Sequence, residues 1–383
     1  MKKVILLVVL FILAPLTTKA FEVGVQTFTW HNGLRDIQVM VWYPTQLTGE
    51  QGFNYYGFIS GQAIFNAPIN TADSPYPLLI FSHGLGMCSY QSVFLTESLA
   101  SQGYIVIAPD HADASICRIG GGSDLTYKQI VKAMLLGHGN FDQTVARLFP
   151  QQLTYLQNPA YRPQEISFVL TEFLNEPQFA GFIDYSRIGG LGHSFGGWTM
   201  LALAGGKIDC EDPSNYEPTI CNAPETEFSS AEIQRKLCCQ CPYKGNFIDL
   251  TDSRLQAVVA ISPGSFIFPH YGDLNLQVPV IYMTGDHFEV DYWTNLQLPY
   301  NLTITPKYLV EFIGTDHLTP SDLMSQYFGA QLALRGYWFY PCKKKKYINY
   351  TLAFFNKYLR QDSSDLEQLL NNCHPFVNIQ YQE

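Results

Sequence analysis

The segment 192–197, with the sequence GHSFGG, constrains the fold of this chain more than any other stretch. A strand-like apolar run at 187–191 precedes it and a helix-forming run follows it. A serine between a strand and a helix, with glycine two residues away on either side, is typical of a nucleophile elbow, because the strained serine backbone leaves room only for very small side chains there. The motif predicts that the Ser194 hydroxyl lies above a sheet edge, at a helix N-terminus that favours an anion. The alternative is a glycine-rich turn that carries no chemistry.

Strand-like and helix-like segments alternate along most of the chain, which predicts an α/β fold with a parallel sheet. The predicted strands are 21–30, 37–43, 78–82, 104–108, 187–191, 255–261, 278–284 and 308–313. The predicted helices are 91–101, 141–156, 165–175, 195–204, 320–334 and 347–359. The middle strands are short, continuous apolar runs, as expected where helices cover both faces of a sheet. We therefore expect a mostly parallel, eight-stranded sheet whose first two strands form an antiparallel hairpin at one edge.

The first twenty residues are predicted to be a secretory signal peptide. Lys2 and Lys3 precede an apolar run at 4–16, and the small residues Thr18 and Ala20 lie at the positions that a signal peptidase inspects. The run is shorter than the roughly 20 residues that a membrane-spanning helix needs. An uncleaved N-terminal anchor is the alternative. Residues 21–383 are then expected to form one domain that is periplasmic or secreted.

The charge and the hydrophobic content exclude several classes of protein. The chain has 383 residues, a formal net charge of −10 and 47% hydrophobic residues, which excludes a disordered chain. An acidic protein is a poor partner for nucleic acid, which needs a basic face. Lysines 343–346 form one basic run. We interpret this run as a solvated face, with peripheral contact to anionic lipid headgroups as the alternative.

Nine cysteines in an exported chain predict disulfides. Five of them lie between Cys210 and Cys241, and we expect residues 205–252 to form a cysteine-rich insertion after the nucleophile helix. The CCQC sequence at 238–241 lacks the CxxC pairing that wraps a tetrahedral metal ion, so no metal site is predicted. Cys342 and Cys373 flank the last predicted helix and are compatible with pairing. A second long loop is expected at 49–74.

A second glycine-rich segment, 82–86 with the sequence SHGLG, follows a predicted strand. Beside a nucleophile elbow, one oxyanion donor is the backbone N–H after the nucleophile, and the other comes from the loop after the third strand. Such donors stabilise the negative charge that develops during acyl transfer. The predicted donors are the N–H groups of Phe195 and Leu85. His83 and His193, inside the two motifs, are expected to pack or to form hydrogen bonds.

The Ser194 hydroxyl needs a base, and in this architecture the order along the chain is serine, acid, histidine. The histidines that follow Ser194 are His270, His287, His317 and His374. His317 comes directly after the last predicted strand, on the same sheet edge as the serine, and is the predicted base. Asp316 is its neighbour in sequence and is expected to point elsewhere.

The acid of the predicted triad is assigned to the segment that follows strand 278–284, which has the sequence GDHFEVD. A carboxylate there would accept the imidazole N–H and stabilise the imidazolium. Asp286 is the first candidate and Glu289 is the second. No cofactor is expected.

The sequences GHSFGG, FSHGLG and GTDH resemble those of the plasma-type platelet-activating-factor acetylhydrolases and the dienelactone-hydrolase-like group of α/β-hydrolases. The resemblance extends from about residue 78 to about residue 317, is interrupted by the cysteine-rich insertion, and includes RPQEI at 162–166 and SRIG at 186–189. It implies an α/β-hydrolase fold with Ser194 as nucleophile, His317 as base and the amides of Leu85 and Phe195 as oxyanion donors. It also implies hydrolysis of a short or oxidised sn-2 acyl ester, without calcium or a cofactor.

One departure from the family pattern concerns the acid. The animal lipase group places its acid after the sixth strand, where this chain has Ser262. Bacterial relatives usually have Gly-x-x-Asp after the seventh strand, and the matching position here is Phe288. We therefore expect an exported serine esterase for short-chain acyl esters of lipids or phospholipids, whose acid lies after the seventh strand. The alternatives are an esterase for aromatic or polyester substrates and a non-catalytic lipid- or partner-binding protein on a hydrolase scaffold.

Overall fold

The computed structural model describes residues 20–49, 52–55, 59–115, 159–209, 247–265, 274–287, 292–322, 340–371 and 376–383. Several predictions from sequence lie outside these residues. They are the signal peptide, the helix at 141–156, most of the helix at 320–334, the cysteine-rich segment 210–246, and Glu289.

The scaffold is one large β-sheet. Its strands are β1 (Glu22–His31), β2 (Asp36–Thr45), β5 (Ile64–Phe65), β6 (Tyr76–Ser82), β7 (Ile105–Pro109), β8 (Ile183–His193), β11 (Ala257–Ile261), β12 (Val280–His287), β13 (Lys307–Asp316) and β14 (Val377–Gln382). Within the described residues they run in the order β14-β13-β12-β11-β8-β6-β7-β2-β1-β5. Two small ribbons complete the strands: β3 (Asn54–Tyr55) with β4 (Ile59–Ser60), and β9 (Lys207–Asp209) with β10 (Phe247–Asp249).

All eight predicted strands are present, and the sheet has two more. Strands β7, β6, β8, β11, β12 and β13 are parallel neighbours. The predicted hairpin is the antiparallel pair β1–β2, and β2 also pairs antiparallel with β7. The two additional strands are the two-residue β5 beside β1 and the antiparallel β14 beside β13. The expectation of eight strands was therefore wrong by these two edge strands.

Helices cover both faces of the sheet, as predicted. Alternate residues of the central strands point to opposite faces, so Leu79 and Phe81 of β6 join one core cluster while Leu78 and Ile80 join the other. The first cluster includes helices α1 (Val93–Ser101), α5 (Tyr340–Arg360) and α6 (Ser364–Asn371). The second includes α2 (Tyr161–Leu174), α3 (Phe195–Leu203) and α4 (Leu298–Leu302).

The buried face of helix α2 carries a charged residue among its apolar ones. Ile166, Val169, Leu170 and Phe173 recur at the three- and four-residue spacing of one helix face and pack beneath the sheet. Arg162 occupies the same face one turn earlier and has no exposed surface. This face therefore delivers a guanidinium to the end of the sheet where the glycine-rich segments lie.

The predicted long loop at 49–74 is tied to helix α1 by one buried carboxylate. The Tyr55 hydroxyl and the N–H groups of Gln62 and Ala63 all donate hydrogen bonds to Glu97. Short strands β3, β4 and β5 fall within this segment, so it is partly ordered by strand pairing rather than being a plain loop.

The basic run on helix α5 is largely engaged within the chain. The ammonium groups of Lys343, Lys344 and Lys346 donate to the Gly314 carbonyl, the Asp322 carboxylate and the Phe376 carbonyl. In the same helix Cys342 is exposed and is not in a disulfide, so the suggested pairing with Cys373 is not formed. Cys88 is disulfide-bonded, and its partner cysteine lies outside the described residues. None of the helices in the described part of the chain is long and apolar enough to cross a membrane.

Candidate active site

Ser194 lies on a sharp turn between β8 and α3. Its backbone has φ 57° and ψ −119°, which is a strained conformation for a residue with a side chain. The Ser194 N–H donates to the Ile261 carbonyl of β11 at 2.8 Å, which holds the turn against the neighbouring strand. His193 and Phe195 are buried, while Ser194 is partly exposed. The turn therefore presents the serine side chain outward at the carboxyl ends of the parallel strands.

The two glycines of the motif allow this turn to pack. A Cβ added at Gly192 would lie 2.2 Å from the Gly196 carbonyl oxygen. A Cβ added at Gly196 would lie 1.9 Å from the Ser82 carbonyl oxygen, at the end of β6. Because real carbon and oxygen atoms cannot approach this closely, both positions require glycine. The close packing of the turn therefore explains why glycine lies two residues before and two residues after the serine.

The loop that follows β6 holds the Leu85 amide between two hydrogen-bonded amides. The Gly84 N–H donates to the Gln91 side chain at 2.7 Å, and the Gly86 N–H donates to the Asp113 carboxylate at 2.7 Å. Between them, the N–H of the partly exposed Leu85 has no hydrogen-bond partner among the described residues. The other predicted donor, the Phe195 N–H, is the first amide of α3, and such amides have no partner within their helix.

His317 follows the last residue of β13 and is held beside the elbow by His193. The two imidazole rings are 4.8 Å apart between centroids. His193 Nε2 donates to the His317 carbonyl at 2.8 Å, and the Gln91 amide donates to His193 Nδ1 at 2.9 Å. The structure thus brings the predicted base next to the residue that precedes Ser194. His193 uses both ring nitrogens in this way, as expected for a structural histidine.

Burial keeps the His317 imidazole neutral. The side chain is only 4% exposed, and burial lowers its pKa to about 4. Burial, together with the adjacent His317, also lowers the pKa of His193 to about 3. A neutral imidazole can accept a proton, so His317 is in the form that a general base requires at neutral pH.

The Asp286 carboxylate binds main-chain groups just before His317. Its Oδ1 accepts the N–H groups of Gly314 at 2.7 Å and Thr315 at 3.2 Å. Both of these hydrogen bonds come from main-chain amides, and neither comes from the His317 imidazole. Asp316 points away, as expected, because it accepts the N–H groups of Leu318 and Thr319. Asp286 therefore acts on the backbone that carries His317, and its assignment as the triad acid stays a prediction.

Ser262 lies where the animal lipase group has its acid. It directly follows β11, with φ 43°, and its N–H donates to the Met283 carbonyl at 2.7 Å. Its buried hydroxyl has no hydrogen-bond partner within the described ranges. A hydroxyl cannot replace a carboxylate in a triad, so Ser262 cannot be the triad acid.

Sequence reasoning missed a cluster of buried polar groups under the glycine-rich loop. Arg162 pairs with Asp113 at 2.6 Å, with no exposed side-chain surface on either partner. His111 contacts the Ser82 hydroxyl at 2.9 Å and the Glu165 carboxylate at 2.8 Å. Residues 162–164 entered the sequence argument only through the family resemblance, and the predicted helix began at residue 165. An arginine on the apolar face of a predicted amphipathic helix is the signal that would have found this cluster.

The fold and the elbow together define an α/β-hydrolase scaffold. A solved structure titled ferulic acid esterase, from Streptomyces cinnamoneus, superposes with a TM-score of 0.55 over 97% of this chain and 98% of that chain. The two sequences are 19% identical, so this likeness bears on the fold alone. The predicted fold class is confirmed.

Sequence comparison adds the family that the chain resembles. The family model for platelet-activating factor acetylhydrolase, isoform II, matches residues 47–120. The platelet-activating factor acetylhydrolases of Cavia porcellus and Bos taurus are 31% and 30% identical to this chain over 168 and 167 residues. That of Gallus gallus is 28% identical over 177 residues. The predicted resemblance is confirmed.

The aligned region covers only part of each protein. It spans 38% of this chain in the two mammalian comparisons and 40% in the avian one, and between 35% and 41% of the relatives' own length. The activity of the relatives therefore enters below as part of a proposal.

Replacing Gly196 by alanine should disrupt the elbow. The added Cβ would have to displace the Ser82 carbonyl or helix α3, so we expect a loss of about 1–3 kcal/mol or more in the free energy of unfolding. Gly181→Ala is the control, because its Cβ would meet nothing within 4 Å. Urea unfolding of both variants tests this, and equal stability of the two would contradict the packing argument.

Mild acid should destabilise the protein through its buried imidazoles. The pKa values of His193 and His317 lie near 3 and 4 in the folded protein, against about 6.5 in an unfolded chain. The unfolded state therefore binds protons first as the pH falls, and stability is lost from about pH 6.5 down to about pH 4 for His317 and about pH 3 for His193, by about 2 kcal/mol per imidazole at pH 5. Urea unfolding at pH 7 and pH 5 measures the loss. His193→Gln should show a smaller difference between the two pH values, and an unchanged difference would contradict the assignment.

Proposed function

We propose that this protein is an exported serine esterase that hydrolyses carboxylic esters. The observation that carries the proposal is the strained, partly exposed Ser194, with the neutral His317 held beside it by His193. The amides of Leu85 and Phe195 flank the same sheet edge. Nucleophile, base and oxyanion donors are the groups that acyl transfer through a covalent intermediate requires.

The reaction follows from these groups. Ser194 Oγ attacks the ester carbonyl carbon while the His317 imidazole takes the hydroxyl proton. The N–H groups of Leu85 and Phe195 stabilise the oxyanion of the tetrahedral intermediate. The imidazolium then protonates the leaving alcohol, and an acyl-enzyme forms on Ser194. Water, deprotonated by His317, attacks the acyl-enzyme and releases the acid, which restores the free serine.

The proposed substrates are short-chain acyl esters of lipids or phospholipids. This part is supported by the sequence similarity to the platelet-activating factor acetylhydrolases, over less than half of the chain. Aromatic or polyester substrates are the first alternative, and the structural neighbour titled as a ferulic acid esterase makes aromatic esters the natural comparison in an assay. A non-catalytic binding protein is the second alternative.

Export to an oxidising compartment and a single domain from 21 to 383 are part of the proposal. The charged and apolar N-terminal sequence and the disulfide at Cys88 support export. Strands from both ends of this range, β1 and β14, belong to the same sheet, which supports one domain. Peripheral contact with anionic lipid through lysines 343–346 is also proposed, although three of these ammonium groups donate to groups within the chain.

Ser194→Ala should abolish ester hydrolysis without unfolding the protein. We expect kcat/KM for p-nitrophenyl acetate and butyrate to fall about 10³-fold or more, because the proposed acyl-enzyme forms on the Ser194 hydroxyl. Covalent labelling by a fluorophosphonate should be lost in the same variant. Ser186→Ala is the control, since Ser186 is exposed near the opposite end of the same strand β8.

The assay also separates the alternatives. Hydrolysis of an sn-2 acetyl phospholipid in preference to methyl ferulate supports the lipid-ester substrate, and the reverse preference supports an aromatic one. A folded, disulfide-intact wild-type protein that neither turns over any of these esters nor takes up the label would overturn the esterase proposal in favour of a binding protein.

The acid can be located by comparing neutral variants. We expect Asp286→Asn to keep activity within about 10-fold, because an amide oxygen can still accept the N–H groups of Gly314 and Thr315, whereas Asp286→Ala should lose more. Glu289→Gln should lose about 10²- to 10⁴-fold in kcat if Glu289 orients His317. Steady-state kinetics on p-nitrophenyl acetate measure all three variants.

Asp291→Asn removes a charge from the same segment and serves as the control. A loss of about 10²- to 10⁴-fold in Asp286→Asn, with Glu289→Gln near wild type, would make Asp286 the acid instead. A large loss in Asp291→Asn alone would overturn both assignments.

A further inference from the structure

The Arg162 guanidinium is wholly buried and donates to the main chain of the loop after β6. Its Nη1 donates to the His83 carbonyl at 2.5 Å, and its Nη2 donates to the Gly84 carbonyl at 3.2 Å. The planar guanidinium carries donors in a fixed fork, so two adjacent carbonyls bound by one fork are held in one orientation. The backbone on the N-terminal side of Leu85 is therefore fixed by a side chain from helix α2.

Asp113, the ion-pair partner of Arg162, fixes the backbone on the C-terminal side of Leu85. Asp113 Oδ2 accepts both the Arg162 Nη2 at 2.6 Å and the Gly86 N–H at 2.7 Å. Its other oxygen, Oδ1, accepts the Tyr161 hydroxyl at 2.6 Å and the Arg162 Nε at 3.1 Å. One ion pair thus binds the peptide groups on both sides of the Leu85 N–H, the amide that has no partner among the described residues.

The same guanidinium also contacts the side chain of Phe195, the residue that carries the second proposed donor. The Arg162 Cζ lies 4.2 Å from the centroid of the Phe195 ring, at the start of α3. Stacking of this kind is favourable for arginine on an aromatic face. A single side chain therefore touches both walls of the candidate oxyanion hole, the glycine-rich loop and the first residue of the nucleophile helix.

The ion pair is poorly explained by stability alone. Taking two charges out of water costs free energy that their attraction does not always return, so a buried pair is often no better than apolar packing. Although burial raises the pKa of Asp113, the Arg162 guanidinium outweighs it and holds that pKa below its ordinary value. The pair therefore stays charged, and it holds the surrounding loop in a fixed geometry.

We propose that Arg162, through its ion pair with Asp113, is a positioning residue for the oxyanion hole. It aims the Leu85 N–H and the Phe195 N–H at one point. This inference rests on the proposed esterase function, and it assigns the arginine no contact with substrate. Arg162 acts only through the two backbone donors.

The test compares Arg162→Lys with wild type on p-nitrophenyl acetate, with active sites counted by fluorophosphonate labelling. Lysine keeps the charge beside Asp113 but cannot bind two carbonyls and a carboxylate as a fork. We expect kcat per labelled site to fall about 10- to 100-fold while KM changes less than about threefold, since small misplacements of catalytic groups cost this much. Labelling should reach the wild-type stoichiometry more slowly.

Arg254→Lys is the matched control. Arg254 also pairs with an aspartate, Asp252, at 2.5 Å, and it donates to the Ser167 carbonyl of the same helix α2, away from the elbow. We expect this variant to lose stability without a change in kcat per labelled site. If Arg162 has a merely structural role, Arg162→Lys should behave in the same way, with fewer labelled sites and a normal kcat at each.

A second variant covers the case in which Arg162→Lys does not fold. Arg162→Gln combined with Asp113→Asn removes both charges and keeps polar groups at both positions, and the same fall in kcat per labelled site is expected. A normal kcat per labelled site in either folded variant overturns the inference while wild-type turnover leaves the esterase proposal standing. Absence of turnover and labelling in wild type instead overturns the proposed function, and the inference with it.

Discussion

The contact between helix α3 and the end of strand β6 governs the geometry of the candidate site. At Gly196 the helix backbone comes so close to the Ser82 carbonyl that no side chain fits between them. Ser82 is also the register partner of Gly192 in β8, so the two glycine-rich segments leave neighbouring parallel strands at the same level. This close approach therefore sets the separation between Ser194 and the two proposed N–H donors, Leu85 and Phe195.

Around this contact the interior contains several buried polar side chains. His83, His111, His193 and His317 are all buried, and each has a pKa below its ordinary value because burial disfavours the imidazolium. Hydrogen bonds from His83 and His193 go to the backbone of the glycine-rich loop and to the His317 carbonyl. Neutral rings and one buried ion pair thus fix main-chain segments that carry no regular secondary structure. Desolvating these groups costs free energy, which for His83, His111, His193 and the ion pair is offset by the hydrogen bonds that they make.

Sequence patterns predicted the parts of the molecule that depend on local rules. The elbow follows from two glycines at fixed spacing, and the eight main strands follow from short apolar runs. Strand β14 was overlooked although VNIQYQ alternates apolar and polar residues, which is the signal of a half-buried strand. The two-residue β5 has no comparable signal. The contacts of Arg162 and Asp286 could not be predicted, because Asp113 lies 49 residues from the arginine and the bound Gly314 amide lies 28 residues from the aspartate. No periodicity or motif in this sequence encodes these two pairings.

The ribbon formed by β9 and β10 joins the two ends of a long segment of the chain. Lys207 pairs with Asp249 in register, and their side chains form an ion pair at 3.0 Å, so the chain leaves the scaffold and returns to it at one place. When the two ends of a segment are already clamped together, the entropic cost of lengthening it rises only slowly, by about 0.6 kcal/mol for each doubling. Insertions of different length between the two strands therefore add little to the entropic cost of closing this segment.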